Sequence, residues 1–99
     1  MERGGCIYIM TNKNRTTFYV GVTSDLFSRI IEHQTHKYPN SFTAKYNLEF
    51  CVYFEMQPTI EDAIGREKQV KKYRREKKIA LIESINPNWN DLWEEIKNW

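Results

Sequence analysis

The chain has 99 residues, a length that fits one compact domain, so a single domain covering residues 1–99 is expected. Hydrophobic residues make up 40% and charged residues 28%, which is typical of a globular rather than a disordered protein, and no apolar run approaches the roughly 18 residues of a membrane span. The first residues lack an apolar segment followed by a small-residue cleavage site. A cytoplasmic protein without membrane association is therefore expected.

A β-hairpin is the first predicted element. Residues 6–22 hold two runs of β-branched, aromatic and other apolar residues around a polar stretch that contains asparagines. With the turn centred at 13–14, Tyr8 is expected opposite Tyr19, with both side chains on one face of the sheet. Gly21 would leave an open spot on that face, where a large group or a backbone could approach closely.

A first helix is predicted after the hairpin. The segment Thr23-Ser24-Asp25 offers an N-cap, and apolar residues then recur with helical spacing to about Gln34. Arg29 and His33 lie four residues apart at one edge of the apolar arc. Both side chains are expected to project to the rim of the surface on which this helix packs.

A short helical piece at 42–46 and a third strand at 50–54 follow. The third strand is apolar enough to be the central strand of a small sheet. The two cysteines, Cys6 and Cys51, lie inside hydrophobic runs and are expected to be reduced core residues.

The second long helix carries an unusual carboxylate. It is predicted to start after Thr59, and Glu67 falls at the centre of its apolar stripe, between positions such as Ala63 and Val70. Burying a charged carboxylate at such a position destabilises the fold unless a metal ion, a cationic side chain or solvent stabilises the charge. A functional role for Glu67 and a structural pairing with a buried arginine, for example Arg29, are both open on these grounds.

Positive charge is concentrated in one segment. The net charge is only +2, but residues 66–78 carry +6, so the remaining residues carry −4. A basic stripe of this kind suits a nucleic-acid backbone, and a solvated helix face is the alternative. The candidate backbone contacts are Lys45, Lys68, Lys71, Lys72, Arg74 and Arg75. Residues 79–85 continue this helix or begin another, and the Trp-rich tail 91–99 is predicted to fold back as a short helix.

Two motifs together with three later side chains resemble the GIY-YIG nuclease superfamily. The motifs are Cys6-Ile7-Tyr8 and Tyr19-Val20-Gly21, and the similarity extends through Arg29, His33 and the segment Ala63 to Lys72. It is closest to small single-domain bacterial members, of the UPF0213 type. The resemblance implies an α/β (α+β) fold, with a small three-stranded antiparallel sheet flanked by helices.

The resemblance also implies a metal-dependent DNA endonuclease that hydrolyses phosphodiester bonds. Tyr8 and Tyr19 match the motif tyrosines, Arg29 the catalytic arginine, His33 a histidine one turn later, and Glu67 the metal-ligating glutamate. A single carboxylate suggests one Mg²⁺ or Mn²⁺ ion. One tyrosine would act as general base if its phenolate is stabilised, and His33 could relay the proton instead.

Some positions depart from the family pattern. Cys6 stands where the first motif has glycine, Val22 stands where some members have lysine, and Asn86 is only a weak match for the asparagine of larger members. A nucleic-acid-binding module that has little activity and acts with a partner is the alternative function. A monomer is expected, with a dimer through the Trp-rich tail as the alternative, and roles such as DNA repair or defence stay open.

Overall fold

The fold is built on a three-stranded antiparallel sheet. A computed structural model describes residues 4–99; residues 1–3, which are part of the segment searched for a secretory signal, lie outside the described residues. The strands are β1 (Gly5–Thr11), β2 (Phe18–Thr23) and β3 (Phe50–Gln57), in the order β2-β1-β3. The central strand is β1, which is buried along its whole length. The prediction that the third strand is central was wrong, because β1 pairs with both of the others and leaves β3 at an edge.

Five helices accompany the sheet. They are α1 (Leu26–Gln34), α2 (Phe42–Lys45), α3 (Ile60–Lys71), α4 (Arg75–Ile85) and α5 (Trp93–Ile96). The predicted caps are confirmed, since the Asp25 side chain accepts from the Ser28 amide and the Thr59 hydroxyl accepts from the Asp62 amide. The helices α3 and α4 are separate. Within residues 4–99, every helix is too short or too polar to cross a lipid bilayer.

The two faces of the sheet carry different layers. On one face, Tyr8 and Met10 of β1 pack against Leu26 and Ile30 of α1 and against the tail. The tail folds back here as expected, through the residues Leu92, Trp93 and Ile96. On the opposite face, the packed side chains come mainly from α3, α4 and the sheet: Ile7, Ile9, Val20, Ala63, Val70 and Ile82. Side chains on α1 and on α3 therefore approach the sheet from opposite sides.

The hairpin register differs from the expected one by two residues. Tyr8 pairs with Gly21, and Tyr19 pairs with Met10, so the two tyrosines are not directly opposite. The hairpin loop extends over 12–17, because the Asn12 side chain accepts hydrogen bonds from two backbone amides on the far side of the loop. A shift of two residues preserves the face of each side chain, so both tyrosines still share one face.

Candidate active site

A buried tyrosine–histidine pair lies between β1 and α1. Tyr8 is fully buried, and its hydroxyl lies 2.8 Å from Nε2 of His33. The rings of Tyr8 and Tyr19 are 6.3 Å apart, and the rings of Tyr19 and His33 are 5.8 Å apart. The close approach of Tyr8 to β2 depends on Gly21, because a Cβ there would collide with the end of the Tyr8 ring. The open spot expected at Gly21 is thus filled by Tyr8 itself.

Both members of this pair are neutral at neutral pH. Burial raises the pKa of Tyr8 well above the ordinary value of a phenol, and Tyr19 adds to the rise while the charge of Arg29 opposes it. Burial and, to a smaller extent, the charge of Arg29 lower the pKa of His33 to about 4. A neutral imidazole has one donor and one acceptor nitrogen. His33 can therefore accept from Tyr8 only if its proton is on the other nitrogen.

The second nitrogen of His33 has a partner that can accept this proton. His33 Nδ1 lies 3.0 Å from the Thr43 hydroxyl of α2, which in turn lies 3.2 Å from the Ser41 hydroxyl. With the proton on Nδ1, the imidazole donates to Thr43 and accepts from Tyr8. The sequence interpretation missed Thr43, because it is ten residues from His33 and lies beyond a loop. The only local signal is the Ser41 N-cap, which places Thr43 in the first turn of a short helix.

An open cavity lies beside this pair. It has a volume of about 330 Å³ and is lined by Tyr19, Arg29 and His33, with the loop and helix that follow α1 as the other wall. The Arg29 side chain is 43% exposed, and its Nε lies 3.3 Å from a Glu32 carboxylate oxygen. The cavity therefore presents a phenol, a guanidinium and an imidazole to one ligand.

Glu67 occupies a different place from the other four candidates. Its side chain is only 12% exposed, as its position in the apolar stripe predicts, and it forms an ion pair with Lys71 at 3.2 Å. The suggested structural pairing with Arg29 is not found, since Arg29 pairs with Glu32. The helix that carries Glu67 packs on the sheet face opposite Tyr8, and Glu67 is outside the lining of the cavity. Within residues 4–99, no three His, Cys, Asp or Glu side chains cluster in a way that could hold a metal ion.

The basic candidates between residues 68 and 75 are exposed, but one of them supports the fold. Lys68, Lys71, Lys72, Arg74 and Arg75 all have exposed side chains. The Arg75 guanidinium donates to the carbonyl oxygens of Arg15 and Thr16, at 3.0 and 3.1 Å, and lies 4.5 Å from the centre of the Phe18 ring. Arg75 therefore ties α4 to the hairpin loop as well as adding positive charge.

Arg66, at the start of the basic segment, is committed to a structural network. Its Nε and Nη2 donate to the two carboxylate oxygens of Glu55 at 2.9 and 3.2 Å, and its Nη1 donates to Gln69 and to the hydroxyl of Tyr73. This bidentate pair joins α3 to β3. Part of the positive charge of residues 66–78 is thus neutralised by Glu55 inside the domain.

Asn86, the weak candidate, has a buried side chain with structural contacts. It is 3% exposed and caps the end of α4. Its side-chain nitrogen donates to the carbonyl oxygens of Val52 and Asn90, and its oxygen accepts from the Asn90 amide. These three hydrogen bonds use the amide to hold the loop after α4 against β3, and Asn86 is outside the lining of the cavity.

Comparisons with known proteins agree with the motifs. The family model described as the GIY-YIG catalytic domain matches residues 4–80. A UPF0213 protein of Syntrophus aciditrophicus is 32% identical over 81 residues, which cover 82% of this chain and 91% of the relative. A UPF0213 protein of Staphylococcus saprophyticus is 36% identical over 80 residues, which cover 77% of this chain and 90% of the relative. No solved structure shows a significant match to the chain.

Proposed function

This chain belongs to the GIY-YIG family, a nuclease family, and we propose that it is a metal-dependent endonuclease that hydrolyses phosphodiester bonds in DNA. The observation that carries the proposal is the cavity lined by Tyr19, Arg29 and His33, with Tyr8 hydrogen-bonded behind it. Hydrolysis of a phosphodiester needs an activated water and stabilisation of the charge that develops on the phosphate. The cavity supplies side chains for both tasks.

Arg29 is the group that would bind the phosphate. Its guanidinium is permanently charged and 43% exposed, and its only carboxylate partner among residues 4–99 is the neighbouring Glu32. A phosphate oxygen could replace Glu32 without unfolding any element, because the pair lies on one helix and is open to solvent. The interaction would strengthen as negative charge builds up on the phosphate.

Tyr19 is the tyrosine that would contact the attacking water. It lines the cavity, whereas Tyr8 is fully buried and has its hydroxyl committed to His33. Because the pKa of Tyr8 is raised by burial, Tyr8 stays a neutral phenol that donates to His33. Tyr8 and Thr43 would then hold the imidazole of His33 in place at the cavity wall, with both of its ring nitrogens engaged.

Glu67 would hold one Mg²⁺ or Mn²⁺ ion. Its carboxylate is shielded from bulk solvent and already attracts a cation, the Lys71 ammonium at 3.2 Å, so its chemistry fits a hard divalent ion. Mg²⁺ keeps several waters and commonly takes only one or two protein carboxylates together with phosphate oxygens, and when bound it stabilises charge on the phosphate. In this proposal the phosphate lies at the β2 edge, since β2 is an edge strand and α3 packs against it.

The exposed basic residues would guide the DNA backbone to this edge. Lys68, Lys72 and Arg74 are exposed and, within residues 4–99, none of them forms an ion pair with a carboxylate. Their charges would be paired with backbone phosphates, so binding should weaken steeply as the salt concentration rises.

A plasmid-nicking assay tests the proposal. Purified protein is incubated with supercoiled DNA and Mg²⁺ or Mn²⁺, with and without EDTA, beside the variants Glu67→Gln, Arg29→Ala and Tyr19→Phe. Each substitution should lower nicking about 100-fold or more, because each removes a group that acts on the phosphate or the water. The matched control is Glu95→Gln, an exposed carboxylate on α5, which should nick as the wild type does.

The outcomes separate the two functions. Undiminished nicking by Glu67→Gln would show that this carboxylate holds no essential metal. Salt-sensitive DNA binding without nicking under any metal would instead support a nucleic-acid-binding module, a function that is favoured by the position of Glu67 outside the cavity.

A further inference from the structure

A second cavity lies at the hairpin end of the sheet. Its volume is about 300 Å³, at the low end of the roughly 300–1,000 Å³ range of small-molecule sites. Its walls combine two cations, two aromatic rings, a carboxylate and a hydroxyl: Lys13, Arg15, Phe50, Trp89, Asp91 and Thr11. None of these residues lines the cavity that contains Tyr19 and Arg29. The second cavity is therefore a separate candidate site.

The ring of Trp89 is held in place from several sides. Its backbone has a φ of 56°, in the left-handed region that a bulky side chain rarely adopts. Its ring stacks on Phe18, with centroids 5.8 Å apart and planes inclined by 27°, and its Nε1 donates to Glu83 at 2.8 Å. Strained backbone of this kind is found at functional sites, where the surrounding structure holds it. Trp89 thus offers a fixed aromatic surface to the cavity.

Two cations beside this ring lack a carboxylate partner. Neither Lys13 nor Arg15 forms an ion pair within the part of the chain that the structure describes, and both side chains are exposed. The Arg15 guanidinium lies 5.3 Å from the centre of the Trp89 ring. The planar guanidinium of Arg15 therefore already lies over the indole of Trp89. A planar ligand could take its place, because the exposed arginine is free to swing to an anionic part of that ligand.

Asp91 supplies an acceptor at the same cavity. Its Oδ1 accepts from the backbone amides of Cys51 and Trp93, at 3.2 and 3.1 Å, which fixes the orientation of the carboxylate. Its Oδ2 has no hydrogen-bond donor among residues 4–99 and is not fully buried, and Asp91 lines the cavity, so Oδ2 has capacity to accept from a ligand. A carboxylate oxygen accepts hydrogen bonds and cannot donate them. The ligand group that faces it must be an N–H or O–H donor.

We propose that this second cavity binds a nucleotide. Its base stacks on the indole of Trp89, an exocyclic amino group of the base donates to Asp91 Oδ2, and its phosphate pairs with Lys13 and Arg15. Adenine, cytosine and guanine carry such an amino group, whereas the N–H donor of a thymine base, N3–H, lies between two carbonyl oxygens that a carboxylate would repel. The site should therefore discriminate against thymine. The nucleotide could be free in solution or part of a nucleic-acid strand, because the three contacts are the same in both cases.

The test measures binding in EDTA, so that it is independent of any cleavage. Deoxynucleoside monophosphates are titrated into the protein and followed by NMR shifts of the indole N–H signals. We expect dAMP, dCMP and dGMP to bind about tenfold more tightly than dTMP, as the loss of one hydrogen bond to a charged group implies. Asp91→Asn keeps an oxygen for the two backbone amides and should remove most of this preference.

Surface variants test the phosphate contacts without disturbing the core. Lys13→Gln and Arg15→Gln should each weaken binding of dAMP several-fold and should not weaken binding of deoxyadenosine, whereas Lys97→Gln, directly after α5, should change neither. The trinucleotide dT-dA-dT distinguishes a nucleic-acid strand from a free nucleotide as the ligand. Binding at least tenfold tighter than dAMP indicates a strand, and equal binding indicates a free nucleotide.

Two results would overturn the proposal. One is that neither a monophosphate nor the trinucleotide shifts the Trp89 indole signal in a saturable way. The other is saturable binding in which dTMP equals dAMP and Asp91→Asn has no effect, because the carboxylate would then take no part in recognition. Either result leaves the nicking experiment untouched.

Discussion

Substituting alanine for Gly21 is expected to dislodge the tyrosine–histidine pair. A Cβ built at Gly21 would lie nearer than 3.0 Å to three atoms at the end of the Tyr8 ring, closer than real Cβ contacts come. The ring has little room to retreat, because Tyr8 is fully buried and its hydroxyl is bonded to His33. The added methyl group therefore has to displace the ring, the β2 backbone or both.

The cost of this displacement has two parts. Overpacking a well-packed interior costs about 1–3 kcal/mol, and a buried hydroxyl that loses its hydrogen bond costs about 1–3 kcal/mol more. In a domain of this size each kcal/mol moves the melting temperature by roughly 4–8 °C. Gly21→Ala should therefore lower the melting temperature by roughly 8–48 °C.

Calorimetry together with NMR titration of the histidines checks this prediction, and Gly65→Ala is the matched control. Gly65 lies inside α3 on the exposed side, with nothing within 4 Å of an added Cβ, so alanine there should stabilise the protein by about 0.5–1 kcal/mol. In Gly21→Ala the pKa of His33 should also rise from about 4 toward its ordinary value of 6.5, because the displaced ring no longer shields it. An unchanged melting temperature and an unchanged His33 pKa would refute the packing of Tyr8 on Gly21.

Three further predictions follow from burial and pairing. The pKa of His33 is about 4 in the folded protein and 6.5 in the unfolded chain, so between pH 4 and pH 6.5 the unfolded chain binds more protons. This contribution to stability is present above pH 6.5 and is lost as the pH falls to 4. After allowance for partial exposure the loss is about 1–2 kcal/mol, which urea unfolding at the two pH values measures and which His33→Gln should reduce. Burial raises the pKa of the Cys6 thiol to about 12 and also raises the pKa of the Cys51 thiol. At pH 8 the native protein should therefore react with a thiol reagent far more slowly than the urea-unfolded protein, which should react at both thiols. Rapid labelling of the native protein would contradict the burial of the two cysteines. Arg66→Met leaves the half-buried Glu55 carboxylate without its bidentate partner and should cost about 1–3 kcal/mol of unfolding free energy, whereas a cost near zero would mean that the pair is solvated like a surface ion pair.

Local patterns predicted the elements well, because their signals are contained within a few residues. The Asp25 and Thr59 caps set the starts of α1 and α3, and helical spacing placed Arg29 and His33 on one side of α1. The hairpin register was missed because it depends on the Asn12 side chain, which bonds across a six-residue loop.

Long-range placement was harder to predict from the sequence. Helical spacing correctly predicted that Glu67 is largely shielded, but the period of one helix does not say which face of the sheet the helix covers. The contact between His33 and Thr43 likewise depends on how the loop after α1 turns back. In both cases the missing information lies in the packing of separate elements, and no local propensity contains it.

The edge strand β2 connects the two proposed sites. Phe18 and Tyr19 are consecutive, so their side chains point to opposite faces: Tyr19 lines the cavity beside Arg29, and Phe18 stacks on Trp89. A nucleic-acid strand that crosses the β2 edge would meet Arg29 on one face and the Trp89 cavity on the other. Lys68 on α3 and Lys72 directly after it provide positive charge on the second face, where Glu67 is also placed. If DNA instead stayed on the Tyr19 face alone, neither Glu67 nor Trp89 could contact it, and both assignments would fail together.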